Sequence, residues 1–133
     1  ILEGNLKEDQ GVVDAPIRRH KTDRKKMAVI LGGRNAVTHY KVLERFGNYT
    51  YVECALETGR THQIRVHMKH LGHPVAGDDK YGRKCPFGQG GQLLHAYKLG
   101  LIHPKTGEAM EFNAPLPDYF EAALKMLHRI EAD

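Results

Sequence analysis

The sequence predicts an α+β fold, with a mainly antiparallel sheet, one inserted helix and one helix at the C-terminus. β-Branched and aromatic residues are dense from residue 37 to residue 56. Apolar residues recur at helical spacing near residues 61–71 and 118–127. Strand-like segments otherwise follow one another directly, whereas parallel strands need a long crossover connection. With 133 residues, 41% of them hydrophobic, the chain suits a single core.

The first part of the chain predicts loops, a short strand and a hairpin. Residues 1–10 indicate the frayed end of a longer polypeptide. Proline, glycine and basic residues interrupt residues 14–35, so we expect loop there with a short apolar strand at residues 27–31. Residues 37–56 should form a hairpin, because residues 46–48 interrupt the strand pattern where the chain must turn.

The second arm of this hairpin leads into the inserted helix. Val52, Cys54 and Leu56 alternate with other residues, which predicts one apolar face on the strand. We expect Thr61 to cap the following helix and Gly72 to end it in a left-handed conformation. The helix should therefore pack one side and present cationic residues on the other.

The last third of the chain predicts a glycine-rich loop, two strands and the C-terminal helix. The loop covers residues 82–91, and alternating large residues, including Tyr97, predict a strand at residues 93–101. Apolar residues at 110 and 112 mark another strand. Asp118 and Glu121 have capping-box spacing at the start of the final helix.

Charged residues are segregated along the chain, although the formal net charge is only +4. Residues 17–34 carry seven Lys or Arg against one acid, and residues 60–105 carry eight against two. Residues 107–133 carry six acids against two bases. Acids held away from a basic face raise its potential, so we expect a polyanion partner, with nucleic acid the leading class. Simple solvation of basic loops is the alternative explanation.

The densest group of functional residue types lies at residues 57–67, where a strand passes through Gly59 into the helix. The N–H groups of a first helical turn have no helical partner, and together with Arg60 and Arg65 they favour a phosphate or carboxylate. An arginine fork binds such anions through two hydrogen bonds and stays charged. An exposed helix with solvated arginines would give the same pattern.

Metal, nucleotide and membrane chemistry have less support in the sequence. His67, His70 and His73 recur at intervals of three, but without a Cys pair or an HExxH motif, so we expect no metal. Walker and dinucleotide motifs do not occur, so we expect no cofactor. No apolar window approaches the about 18 residues of a membrane span, and only two cysteines occur, which predicts a soluble cytoplasmic protein.

Four blocks of this sequence together resemble the RluA/RluD family of RNA pseudouridine synthases. The blocks are APIRRH at residues 15–20, AVTHY at 36–40, ETGRTHQIRVH at 57–67 and HPVAGDDKYG at 73–82, with short matches at 95–96, 103–104 and 114–115. They follow the family order over nearly the whole chain. The resemblance implies the pseudouridine synthase fold and an isomerase that converts uridine to pseudouridine in structured RNA, with ribosomal RNA as the expected partner and without metal or cofactor.

The resemblance also implies roles for individual residues. In this family an aspartate attacks the nucleotide, the glycosidic bond breaks, and the base turns and rejoins through carbon. The target nucleotide must leave its stack, so a basic surface and a buried site belong together. Arg65 matches the arginine that pairs with the catalytic aspartate, and Ile64 and Tyr81 are expected to support the site. RNA contacts are expected from Arg60, Thr61, His62, Gln63, Lys69, Arg18 and Arg19.

The nucleophile itself lies in an HRLD-type motif of the family, and this sequence has no such motif. We therefore interpret residues 1–133 as the C-terminal part of a catalytic domain whose upstream half carries the nucleophile, and we expect this fragment alone to be inactive. Truncation should leave a sheet edge and apolar surface uncovered, which favours self-association. A non-catalytic RNA-binding module is the alternative function.

Overall fold

The computed structural model describes residues 1–83, 91–96, 98–102, 105–106 and 109–132. This part of the chain is α+β, as predicted, with strands in antiparallel pairs and two helices. In chain order the elements are β1 (Leu2–Glu3), β2 (Gln10–Asp14), β3 (Ile17–Arg19), β4 (Met27–Val29), β5 (Val37–Arg45), β6 (Tyr49–Leu56), α1 (Gln63–His70), β7 (Lys98–Ile102), β8 (Ala109–Asn113) and α2 (Asp118–Ala132).

The main sheet has four strands in the order β1-β6-β5-β2. The predicted hairpin is confirmed as β5 and β6, with Thr38 opposite Leu56 and a register shift between Val42 and Glu44. Strand β2 pairs with the other edge of β5, with Val13 opposite Thr38. The expected apolar face of β6 is confirmed only in part, because Leu56 at its end is 46% exposed.

Two smaller ribbons flank this sheet. Strand β4 confirms the predicted short strand, and it pairs with β3, which sequence patterns missed because exposed Arg18 and Arg19 follow Ile17 without an apolar alternation. Strands β7 and β8 form the second ribbon. The strand expected from residue 93 begins only at Lys98, because residues 93–96 have no regular structure. Most of the expected glycine-rich loop, with Cys85, lies outside the described residues, as do Tyr97 and residues 103–104.

Helix α1 begins later than predicted. Thr61 was expected to cap it, but His62 is the N-cap residue, and its side chain makes no capping hydrogen bond. The expectation was wrong because His62 is left-handed, with φ 55°, so the helix begins only after it. The predicted end is confirmed, since Gly72 is left-handed with φ 86°. Within the described residues, neither helix combines the length and apolar composition needed to cross a membrane.

In the part of the chain that the structure describes, buried side chains form three clusters. Helix α2 contributes Phe120 and Leu127 to one cluster, and α1 contributes Met68 to the second and Val66 to the third. The N-terminal residues are part of this core, so the expectation of a frayed end was wrong. Ile1 is 4% exposed and belongs to the first cluster, and Leu2 is 1% exposed and belongs to the second, because β1 pairs with β6.

Candidate functional site

The connection from β6 into α1 is organised by the buried side chain of Gln63, which is 3% exposed. Its Oε1 accepts hydrogen bonds from Thr58 Oγ1 at 2.7 Å and from the Arg60 N–H at 2.9 Å. Its Nε2 donates to the Val37 carbonyl and to Thr38 Oγ1, each at 3.0 Å. Both amide hydrogens and both acceptor positions of Gln63 are therefore used by the protein. Gln63 therefore shapes this loop, and its amide has no hydrogen-bonding position left for the RNA contact predicted for it.

Arg65 forms a buried two-point ion pair with Asp78. Its Nε and Nη2 donate to the two carboxylate oxygens at 2.7 and 2.8 Å. The Asp78 side chain is fully buried and that of Arg65 is 13% exposed. Asp78 also accepts the backbone N–H groups of Lys80 and Tyr81. This geometry fixes one edge of the guanidinium, while no described residue accepts a hydrogen bond from Nη1.

The ion pair keeps both groups charged. Burial by itself would raise the pKa of Asp78, but the hydrogen bonds and charge of Arg65 outweigh it and hold that pKa below its usual range. Hydrogen bonding to Asp78 raises the pKa of Arg65. Sequence reasoning assigned no role to Asp78, although this residue stands in the 73–82 block that carries part of the family resemblance.

Tyr81 connects the ion pair with the β3–β4 ribbon. Its hydroxyl oxygen accepts the backbone N–H of Met27 at 2.9 Å and lies 2.7 Å from Nδ1 of His62. The Arg65 guanidinium carbon lies 5.1 Å from the centre of the Tyr81 ring, within the range of a cation–π contact. One tyrosine thus contacts both the helix that carries Arg65 and the basic ribbon.

His62 reaches Tyr81 through an unusual backbone conformation. Among the described residues, His62 is the one non-glycine residue with a positive φ, and a left-handed conformation costs such a residue about 1–2 kcal/mol. Burial, together with the nearby charges of Arg65 and Lys80, lowers its pKa. A neutral ring can accept the Tyr81 hydroxyl hydrogen at Nδ1, which agrees with the acceptance of the Met27 N–H by the same hydroxyl oxygen.

Beside this network lies a cleft of about 360 Å³, which we call the arginine cleft. It brings together residues that are far apart in the sequence: Ile17, Arg18, Arg19, Met27, Arg34, Gly59, Arg60 and Thr61. Four of the predicted RNA-contacting residues line it. Arg34 was not predicted, although it closes the basic segment of residues 17–34.

The remaining predicted residues lie elsewhere. Lys69 is exposed on α1 and does not line the arginine cleft. Ile64 lines a second, larger opening of about 860 Å³, which we call the apolar groove. Leu43, Tyr51 and Leu56 also line this groove. The structure therefore places Ile64 at the apolar groove and not in the arginine cleft.

Ile1 lines the apolar groove, and its backbone nitrogen donates a hydrogen bond to the Leu93 carbonyl at 2.9 Å. Exposed apolar side chains, among them Leu43 and Leu56, complete the lining of this groove.

His67 has a structural environment. It is fully buried, with Nδ1 2.7 Å from Thr38 Oγ1 and Nε2 2.9 Å from the Ala15 carbonyl. Because a carbonyl only accepts, Nε2 carries the hydrogen and Nδ1 accepts from Thr38. Burial lowers the pKa of His67, so the neutral ring is favoured. Among the described residues, no three His, Cys, Asp or Glu side chains group closely enough to hold a metal ion.

A cleft that is lined by four arginines and no acid favours a polyanion as the binding partner of this α+β domain. Residues 3–70 match the family model described as RNA pseudouridylate synthase. That match covers half of the chain, and the chain belongs to this family.

Individual relatives agree with the family. The chain is 54% identical over 129 residues to an uncharacterised RNA pseudouridine synthase, YlyB, of Bacillus subtilis, covering 97% of this chain and 43% of that protein. It is 47% identical over 138 residues to ribosomal large subunit pseudouridine synthase D of Nitrosomonas europaea, covering 98% of this chain and 40% of that protein. The chain thus spans about two fifths of these relatives.

A solved structure extends the likeness to the fold. Human RNA pseudouridylate synthase domain containing 1 superposes with a TM-score of 0.74 at 26% sequence identity. The superposition covers 96% of this chain and 62% of the human chain.

Proposed function

We propose that the longer protein represented by this chain is a cytoplasmic RNA pseudouridine synthase that isomerises uridine in structured ribosomal RNA. Family membership supports the reaction, and the relatives named ribosomal large subunit pseudouridine synthase D support ribosomal RNA as substrate. We further propose that residues 1–133 are the C-terminal part of its catalytic domain. The observation that carries the proposal is the Arg65–Asp78 pair, which holds one edge of the arginine and leaves Nη1 for a second carboxylate.

The reaction is an isomerisation, so its atoms balance without a further reactant. The N1–C1′ bond breaks and a C5–C1′ bond forms, while C5 loses a proton and N1 gains one. Arg65 Nη1 would bind the nucleophilic aspartate supplied by the upstream half of the domain. An adjacent guanidinium keeps such a carboxylate ionised and oriented. Asp78 would act as a positioning residue, because it fixes the arginine from the other edge.

Arg65 is the residue to test. In the longer protein, Arg65→Ala should abolish turnover, and Arg65→Lys should restore little of it, because lysine keeps the charge but cannot bind two carboxylates along two edges. Tritium release from RNA that carries [5-³H]uridine measures turnover. Lys125→Ala on α2 removes an exposed cation far from the site and serves as the control. An active Arg65→Ala protein would contradict the assignment.

Two further proposals concern the isolated chain. Without the nucleophile it should release no tritium under conditions in which the longer protein turns over, and release would refute this. The apolar groove, with Leu43 47% and Leu56 46% exposed, should also promote self-association. Sedimentation velocity should then give a concentration-dependent mass for the chain, and Leu56→Glu should shift it towards the monomer. A monomer at all concentrations would contradict the second proposal.

A non-catalytic RNA-binding module remains the second candidate, because the arginine cleft by itself predicts RNA affinity. One measurement, tritium release by the longer protein, distinguishes the two candidate functions. If the longer protein binds RNA but never releases tritium from any uridine, the binding module is the correct function.

A further inference from the structure

We propose that the arginine cleft is a discrete binding site for one backbone phosphate of RNA, close to the nucleotide that reaches Arg65. This inference rests on the proposed function and goes further, because it assigns a ligand group to a defined cavity. It also adds Arg34 to the residues that contact RNA.

The arginine cleft carries positive charge without a counter-charge. Arg18, Arg19, Arg34 and Arg60 all line the cleft, and none of its lining residues is acidic. Within the part of the chain that the structure describes, none of these four arginines forms an ion pair. Like charges that converge repel one another, and a bound anion removes that repulsion. A phosphate group is the anion that arginine forks fit best in RNA.

Hydrogen bonds to backbone carbonyls orient two of the cleft's arginines. Arg60 Nε donates to the Asn35 carbonyl at 2.8 Å, and Arg19 Nη1 donates to the Arg24 carbonyl at 2.5 Å. These bonds hold two guanidinium groups in place through neutral carbonyls, so their positive charge is retained. The Arg34 backbone is equally fixed, since its N–H and carbonyl both bond to Ile17. Two of the four guanidinium groups are therefore held in position, which reduces the entropy lost when an anion binds.

The size and lining of the arginine cleft suit a sugar-phosphate unit. Ile17, 1% exposed, and half-buried Met27 give the cleft an apolar component beside its arginines. A volume of about 360 Å³ admits a phosphate group with its attached ribose. Gly59 leaves the approach open, because no atom lies within 4 Å of where its Cβ would stand. A sugar-phosphate unit, with one charged and one less polar side, matches this lining.

The arginine cleft lies close to Arg65. Met27 lines the cleft, and its backbone N–H donates to the Tyr81 hydroxyl. The same Tyr81 ring lies against the Arg65 guanidinium. Tyr81 therefore contacts both the cleft wall and the arginine of the proposed reaction site. A phosphate bound there would hold the backbone beside the nucleotide that must leave its stack.

The test uses the salt dependence of RNA binding by the 133-residue chain. The probe is a fluorescein-labelled RNA hairpin with a single-stranded uridine loop, and anisotropy gives its affinity at increasing KCl concentrations. Arg34→Gln and Arg18→Gln should each weaken binding by roughly tenfold or more at low salt. Each should also reduce the slope of log K against log salt by about 0.7, the value for one lost phosphate contact in single strands.

The variants and controls are matched. No described residue bonds to the side chains of Arg18 or Arg34, so both substitutions should leave the fold intact, which circular dichroism checks. Lys125→Gln removes the same charge from exposed α2 and should leave the slope unchanged. Inorganic phosphate provides a second arm. Inorganic phosphate should weakly displace the labelled RNA from the unmodified 133-residue chain. From Arg34→Gln it should displace the RNA no better than chloride does.

The outcomes separate this inference from the proposed function. If both arginine variants have the same salt slope as the unmodified 133-residue chain, the phosphate site is wrong and the proposed reaction is unaffected. If the unmodified chain does not bind RNA, the phosphate site is wrong as well. If phosphate competes but RNA does not bind, the cleft is a site for free anions and the proposal is wrong. Reduced slopes with no turnover by the longer protein would instead refute the proposed function alone.

Discussion

Substitution of Asp78 tests the ion pair on which the site depends. The carboxylate is fully buried and accepts two hydrogen bonds from Arg65 and one each from the N–H groups of Lys80 and Tyr81. Asp78→Ala removes all four acceptor contacts and leaves the Arg65 guanidinium, only 13% exposed, without its partner. Breaking a buried pair by removing one member costs about 3–5 kcal/mol.

A second variant separates charge from shape. In Asp78→Asn, one amide oxygen can still accept from the backbone N–H groups and from one arginine nitrogen, but the amide nitrogen faces the other donor. We expect a loss of about 1.5–3 kcal/mol, the range for one hydrogen bond to a charged group. Urea unfolding followed by circular dichroism measures both losses by linear extrapolation.

Asp79 provides the matched control, since it is the adjacent aspartate and its side chain is exposed. Asp79→Asn should change the free energy of unfolding by no more than about 0.5 kcal/mol. A loss below about 1 kcal/mol for Asp78→Ala, or equal losses at positions 78 and 79, would refute the reasoning. The lowered pKa of Asp78 adds a pH signature, because its contribution is complete above about pH 4 and is lost as the pH falls further.

Three more predictions concern buried groups outside this pair. The pKa of His67 is lowered in the folded chain, so as the pH falls below about 6.5 the unfolded chain takes up this proton first and the free energy of unfolding should decrease. Urea unfolding at several pH values should show a smaller decrease in His67→Gln; an equal decrease would contradict this. Burial raises the pKa of the Cys54 thiol to about 11, so little thiolate should form at pH 8. In a Cys85→Ser chain, Cys54 should react with a disulfide reagent at pH 8 at least about tenfold more slowly than free cysteine. A comparable rate would contradict this. Gly33→Ala should lower the free energy of unfolding by about 1–3 kcal/mol, because a Cβ at this position would lie 2.7 Å from the backbone of β3. Gly47→Ala is the control, because its Cβ would meet no atom within 4 Å. Equal effects of the two substitutions in urea unfolding would count against this packing.

Local patterns were sufficient for part of the site. The spacing of residues 57–67 placed Arg60 and Arg65 at the start of a helix, and the helix is present. The same pattern misassigned the cap to Thr61, because the left-handed conformation of His62 depends on the loop that Gln63 holds. Propensity describes the residue and its neighbours, whereas this cap is decided by contacts with β5.

The partner of Arg65 illustrates a second limit. The resemblance directed attention to an aspartate upstream of Ile1, while the side chain that binds Arg65 in this structure is Asp78, 13 residues further along. A carboxylate in a sequence does not reveal whether it is buried or exposed. Asp78 and Asp79 stand side by side, yet one is fully buried and the other is exposed.

The sequence by itself determined the α+β class, the central hairpin, the family and the basic character of residues 17–34 and 60–105, because these depend on composition and on contacts between near neighbours. Only the tertiary structure decided which of the basic residues act together. Arg18, Arg34 and Arg60 meet in one cleft, and Tyr81 reaches Met27 across 54 residues. Such groupings arise from the burial of distant apolar segments against one another, and that burial minimises the free energy of the whole chain rather than of any short segment.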